Sequence, residues 1–193
     1  MKITKPLLLT GGFFCFLLLF QSCLDDDSPG YSYWPNALVT VKVVDDNSVY
    51  LQLDDNTTLL PVNLTKHPFD SKEVRALVNY KEVYEPSGIY SKAVHVNWID
   101  SIRTKPMVPD LGDENDDEYG NDPVEIVNDW VTLVEDGYLT LRFRTLWGGD
   151  RGKIHYVNLL ESPDPEKPYE VEFRHDASGD VHGVMGDALV AFK

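Results

Sequence analysis

The sulfur of Cys23 is the side chain best placed to do covalent chemistry. It follows Leu19-Phe20-Gln21-Ser22, a lipobox-like string in which a thiol takes diacylglycerol through a thioether and a peptidase then cuts just ahead of it. Only the nucleophilic sulfur of a cysteine forms that bond, and the small Ser22 lets the peptidase approach. Phe20 and Gln21 depart from the aliphatic and small residues usual at those places. Each buried methylene of an attached chain contributes about 0.8 kcal/mol, so two or three acyl chains hold a protein on a bilayer where one would not. The other cysteine, Cys15, lies upstream of the cut. The mature chain therefore keeps no thiol for a disulfide or for nucleophilic catalysis.

Other reactive residue types lack the spacing that chemistry requires. His67, His95, His155, His175 and His182 never fall in the spacing of a helical zinc pair. His175 and His182 flank Asp176 and Asp180, so a shared imidazole and carboxylate site is conceivable there, with ordering of a turn as the plainer reading. Asp113-Glu114-Asn115-Asp116-Asp117 offers oxygens at alternate positions, but Glu118 stands where a calcium loop needs glycine and Val124 where it needs a bidentate glutamate. Neither Ser87 nor Ser178 sits in a nucleophile elbow, and Gly148-Gly149-Asp150-Arg151-Gly152 lacks the lysine of a phosphate loop. No carboxylate pair stands out as a glycosidase pair. No catalytic residue, metal site or cofactor is expected. Tyr31, Tyr33, Trp34, Trp98, Trp130 and Trp147 could supply stacking surfaces for sugars or protein, with Trp34, Trp98, Trp130 and Trp147 as the candidate binding face; core packing explains such aromatics equally well.

The elements that must position these residues begin with a signal. Lys2 and Lys5 precede an uncharged stretch from Pro6 to Phe20, closed by Gln21 and by Asp25-Asp26-Asp27. That is shorter than the twenty or so apolar residues a bilayer-spanning helix needs, so it reads as a cleaved leader over residues 1–22. Its removal takes away two lysines and no acid, so the formal charge of −15 becomes −17 on the remaining 171 residues. Nucleic-acid binding needs clustered Lys and Arg to replace counterions, and no such cluster exists, so that partner class is disfavoured.

From Asn36 onward apolar residues recur every second position, as in Val39, Val41 and Val43, then Val49, Leu51 and Leu53 across the turn Asp45-Asp46-Asn47-Ser48. This is strand periodicity. Further strands are expected over Val74 to Tyr84 and Ile89 to Ile102, about five before residue 104. Residues 106–122, with Pro106, Pro109 and the run Asp113 to Glu118, read as a stiff, solvated acidic linker. Beyond it, Trp130 to Val134 should form a hairpin with Tyr138 to Arg144 across Glu135-Asp136-Gly137, because Asp-Gly supplies positive φ. Leu139, Leu141 and Phe143 would then face a core, and Thr140, Arg142 and Arg144 water. Strands at Ile154 to Leu160, Tyr169 to His175 and Ala188 to Phe192 complete a sandwich-like series. Because the chain stops at Lys193 just after an apolar string, the second body is expected to be truncated, with its last edge strand lacking a neighbour.

Several strings resemble the NigD-like lipoproteins of Bacteroidetes. They are Tyr119 to Ile126, Asp129-Trp130, Glu135 to Leu139, His155 to Leu159, Pro168 to Val171, Arg174 to Asp180, and the start Cys23-Leu24-Asp25-Asp26-Asp27. The resemblance implies an all-β chain with an N-terminal OB-like five-stranded barrel and a C-terminal immunoglobulin-like β-sandwich, and it brings no catalytic residues. The resulting organisation is a signal peptide at 1–22, a lipidated tether at 23–35, the barrel at 36–105, the linker at 106–122 and the sandwich at 123–193. Leu24 and the three aspartates look like the export tag that carries lipoproteins to the outer face of the outer membrane, with a solvated spacer as the equal alternative. Asp100-Ser101-Ile102 resembles the O-glycan acceptor of exported Bacteroidetes proteins, with Ser101 as the acceptor. The expected function is that of a non-enzymatic, membrane-anchored lipoprotein of the outer membrane, exposed on the cell surface and binding a protein or glycan partner. The alternatives are a glycan hydrolase and a bacteriocin-associated immunity protein.

Overall fold

A computed structural model describes residues 34–44, 48–70, 72–150 and 152–193. Cys23, the tether aspartates and the turn at 45–47 lie outside the described residues. The alternating valines and leucines form β1 (Ala37–Val43) and β2 (Val49–Asp54), followed by β3 (Thr57–Pro61), β4 (Val74–Glu82) and β5 (Lys92–Ser101). They close into a barrel in the order β1-β2-β3-β5-β4, antiparallel throughout except where β3 meets β5. Val39, Val41, Leu51, Leu59, Val78 and Val94 are fully buried inside it. Each such side chain stabilises the fold by about 1.5–3 kcal/mol relative to exposure. β3 follows the Asp54–Asn56 turn closely and was not separately legible, since its Thr57-Thr58-Leu59-Leu60 carries no clean alternation.

After the buried Ile102 the chain leaves the barrel directly as β6 (Arg103–Lys105). The sandwich adds β7 (Glu125–Val127), β8 (Leu133–Glu135), β9 (Tyr138–Gly148), β10 (Tyr156–Leu160), β11 (Glu172–Asp176) and β12 (Gly183–Phe192). One sheet runs β6-β12-β9-β7, with β8 also pairing β9, and it faces the two-stranded sheet β10-β11. Leu141, Phe143, Val190 and Phe192 from the larger sheet meet Val157, Leu159 and Phe173 from the smaller, with the Phe143 and Phe173 rings 5.4 Å apart. The Asp136-Gly137 turn has positive φ at both residues, 51° and 76°, as a tight hairpin requires.

Three expectations are corrected. Residues 106–122 are not a solvated linker: Gly112–Glu114 forms a 3₁₀ turn and Asn115–Tyr119 a short helix, α1. Asn115 and Tyr119 are buried, the Tyr119 hydroxyl donates to the Pro109 carbonyl at 3.2 Å, and Arg174 of β11 pairs with Asp116 at 2.5 Å. The charge run concealed two inward-facing side chains that anchor it. The last strand, likewise, is not an edge without a neighbour, because Val190–Phe192 of β12 lies between β6 and β9. Finally, Thr140 is not exposed to water but fully buried.

Thr140 is buried because the barrel sits against that face of β9. Leu38 and Ile102 of the barrel unit pack with Val131, Tyr138 and Ala191 of the sandwich. Among them lies Arg75, fully buried, whose guanidinium donates to Thr40 Oγ1 (2.9 Å), Thr140 Oγ1 (3.4 Å) and Glu135 Oε2 (3.2 Å). At the rim Tyr138 donates to Glu73 at 2.6 Å, and Lys42 and Lys193 pair with the same carboxylate. Burial works to raise the Glu73 pKa, but the bonds from Tyr138, Lys193 and Lys42 outweigh it and bring it down to about 2.

Candidate functional site

β9 and β12 run on past the end of the shorter β10-β11 pair, so the sandwich is open at one end. The register there pairs Val157 with His175, which by extension sets residue 155 opposite residue 177 and diagonal to His175 on the inner face. His155 Nδ1 accordingly lies 2.9 Å from His175 Nε2, and His155 Nε2 lies 3.3 Å from Asp180 Oδ2. Asp180, in the return loop before β12, is 3% exposed and accepts the backbone N–H groups of Gly148 (2.7 Å), Gly149 (3.0 Å) and Asp150 (2.9 Å). One carboxylate thus ties the end of β9, the start of β10 and the loop before β12 together. Gly149 is required in this knot: a Cβ there would stand 2.1 Å from the His182 carbonyl oxygen.

The electrostatics follow from burial. Burial acts to raise the Asp180 pKa, but its backbone and His155 donors win and hold it below the usual carboxylate range. His175, 1% exposed, is pushed below its ordinary value by burial first and by the neighbouring His155 second, against the opposing pull of the Asp122 and Pro123 carbonyls. Because an ionised Asp180 can only accept, the hydrogen between it and His155 sits on His155 Nε2. A second hydrogen bond joins His155 Nδ1 and His175 Nε2, and His175 Nδ1 makes none.

Two hollows flank this chain of groups. One, of about 290 Å³, is lined by His175, Ala177, Asp180, Val181, Leu146 and Met185. The other, of about 190 Å³, is lined by Phe143, Thr145, Trp147, His155, Gly186 and Ala188. Each is lined by an exposed apolar group: Met185 in the first and Trp147 in the second are both more than half exposed. An Asp-His-His chain could orient a base, but the nearby hydroxyls are spent on backbone carbonyls, Ser178 on Ile154 at 2.7 Å and Thr145 on Pro123 at 3.2 Å. Nor does Asp180 have the raised pKa of a general acid. Among the described residues no group of three or more His, Cys, Asp or Glu side chains could hold a metal ion.

The residues singled out in the sequence are dispersed. Trp34, 81% exposed, stands ahead of β1 with its carbonyl bonded to Asn79 at 2.8 Å. Trp98 is half-buried on β5, and Trp130 is exposed in the turn before β8, beside the Asp129–Arg142 ion pair. Trp147 is the tryptophan that lines a hollow, its indole against the backbone of Gly186. Ser101 is exposed at the end of β5. His175 and Asp180 do meet in one site, but His155, not His182, joins them. The sequence gives no reason to join His155 to these two, because His175 is twenty residues away across a strand register.

The sequence models of two linked domains match the chain, the NigD-like N-terminal OB domain over residues 38–102 and the NigD-like C-terminal β-sandwich domain over residues 106–193. A solved structure from Parabacteroides distasonis, described as toxin related, is 39% identical with a TM-score of 0.66, the match covering 81% of this chain and 76% of that one. A protein of unknown function from Bacteroides vulgatus is 22% identical with a TM-score of 0.65, over 81% and 74% of the two chains. A NigD-like immunity protein from Bacteroides caccae is 23% identical with a TM-score of 0.58 over the same shares, a likeness of fold. No curated protein matches the chain.

Proposed function

This chain belongs to the NigD-like family, and from that premise we propose that it is an exported, acyl-anchored lipoprotein of the cell surface that binds a protein partner and catalyses no reaction. The observation that carries the binding reading is the open end of the sandwich. Exposed Met185 lines one hollow and exposed Trp147 the other, and the buried Asp180 beside them is committed to holding loops together. Exposed apolar side chains around a pre-formed concavity are the usual mark of a contact surface. The anchoring reading rests on the leader and on Cys23 in the sequence. No helix among the described residues is long and apolar enough to cross a membrane.

Two measurements test this reading. Cys23→Ala should move the full-length protein from the detergent to the aqueous phase in a partition assay; continued detergent partitioning contradicts acylation. Cell-surface crosslinking with a photo-reactive residue in place of Met185 should yield a discrete protein adduct that Leu146→Glu diminishes. An absence of any adduct removes the binding reading. The toxin-related description of the 39% identical relative favours a second reading, in which the partner is a secreted toxin and the protein confers immunity. Deletion of the gene should then sensitise the cell to a neighbour's bacteriocin, and unchanged killing would count against it.

A further inference from the structure

The two sides of β12 are not equally occupied. On one, all ten residues from Gly183 to Phe192 pair with β9; on the other, the parallel strand β6 covers only Val190–Phe192, because the chain enters it from the barrel at Ile102. The Lys193 N–H donates to the Lys105 carbonyl at 3.1 Å, so Lys193 directs its backbone groups toward β6. Alternate residues of a strand share that direction. Met185 and Asp187 therefore point their N–H and C=O groups to the side that β6 fills higher up. Among the described residues no strand pairs with Gly183–Leu189 there.

This edge lacks the usual protection. A free strand edge is normally guarded by lysine, proline or a bulge. Gly183–Leu189 contains neither lysine nor proline and runs in unbroken register with β9. Its one charge, Asp187, is engaged by Arg142 and Arg144 of β9. Beneath the edge lies the hollow of about 190 Å³, with Gly186, Ala188 and the Trp147 ring in its wall. The ring can lean over β12 only because position 186 is glycine: a Cβ there would stand 1.9 Å from the indole nitrogen.

We propose that the Gly183–Leu189 edge of β12 receives an extended, basic segment of a partner polypeptide as an added strand, with alternate apolar side chains seated in the hollow beside Trp147. Backbone hydrogen bonds supply the register and the hollow the side-chain preference, as in other strand additions. β6 already uses the same edge in this way one step further along. The formal charge of −15 selects a basic segment and works against a second copy of this chain as occupant. This inference rests on the partner-binding reading above and specifies its mode.

The test is amide hydrogen exchange on the purified full chain in detergent, with a blocked seven-residue peptide alternating valine and lysine as probe. At saturation, exchange at the Met185 and Asp187 amides should slow by about ten-fold or more, with barrel amides unchanged. Met185→Pro removes an outward N–H without breaking the β9 ladder and should abolish the protection at the Asp187 amide; should it not fold, Ala188→Arg puts a like charge into the hollow and should abolish it at both. The proposal is overturned by unchanged exchange, by protection that survives both substitutions, or by equal protection from a valine–glutamate peptide. It is also overturned by a dimer in which both amides are already protected without peptide. If the cell-surface adduct forms while the peptide result is negative, the strand mode alone is lost.

Discussion

The barrel and the open end of the sandwich treat their interiors differently. Aliphatic side chains fill the barrel, every strand finds two neighbours, and closure leaves no edge. The sandwich end encloses two histidines and an aspartate, leaves part of β12 single-sided, and exposes large apolar groups beside them. The difference teaches where each region's specificity comes from. The closed barrel relies on buried aliphatic side chains and an unbroken ring of paired strands. The open end relies on directional bonds from one carboxylate, which costs stability unless all are made but leaves edges and hollows available to a partner.

The largest effect is expected where the two regions meet. Arg75→Ala removes the one guanidinium that satisfies Thr40, Thr140 and Glu135 and leaves a partly buried carboxylate unpaired, which should cost about 3–5 kcal/mol. A urea titration should show the midpoint fall accordingly; a shift within about 0.5 kcal/mol would mean that apolar packing alone joins the modules. Next in size, Asp180→Ala should release three backbone N–H groups and His155. Exchange of the Gly148, Gly149 and Asp150 amides should speed up roughly ten-fold while the barrel keeps its protection. Equal loosening of both regions would erase the contrast between them.

The smallest effect is set by pH and has a definite order. The folded state holds His175 below its ordinary 6.5, so the opened state takes up protons more readily. The contribution of His175 is therefore complete above about pH 6.5 and is lost as pH falls through its depressed value. Glu73, lowered from 4.5 to about 2 at the barrel–sandwich interface, contributes fully above about pH 4.5 and loses that contribution only as pH falls toward 2. On acidification the open end should loosen before the interface does. Site-resolved exchange between pH 7 and pH 3 checks the order, and simultaneous loosening would refute it.

Much of the barrel was legible because alternation in Val39, Val41, Val49 and Leu51 is a local property of a half-buried strand. The Asp136-Gly137 hairpin was legible for the same reason, since positive φ is a demand made residue by residue. Thr40, Thr140 and Arg75 were not, because each is polar in sequence and buried only by what another module places over it. The short helix α1 was hidden in a charge run, where Asn115 and Tyr119 alone turn inward.

By itself the sequence determined the all-β class, the strand periodicities, the tight turn and the acidic charge, all of which follow from nearest neighbours and composition. Tertiary structure alone decided that His155 meets His175 and Asp180, that Arg75 binds two modules together, and that among the described residues most of one edge of β12 stays open. Those outcomes depend on register between distant strands and on the unequal lengths of two facing sheets, and no local pattern encodes either.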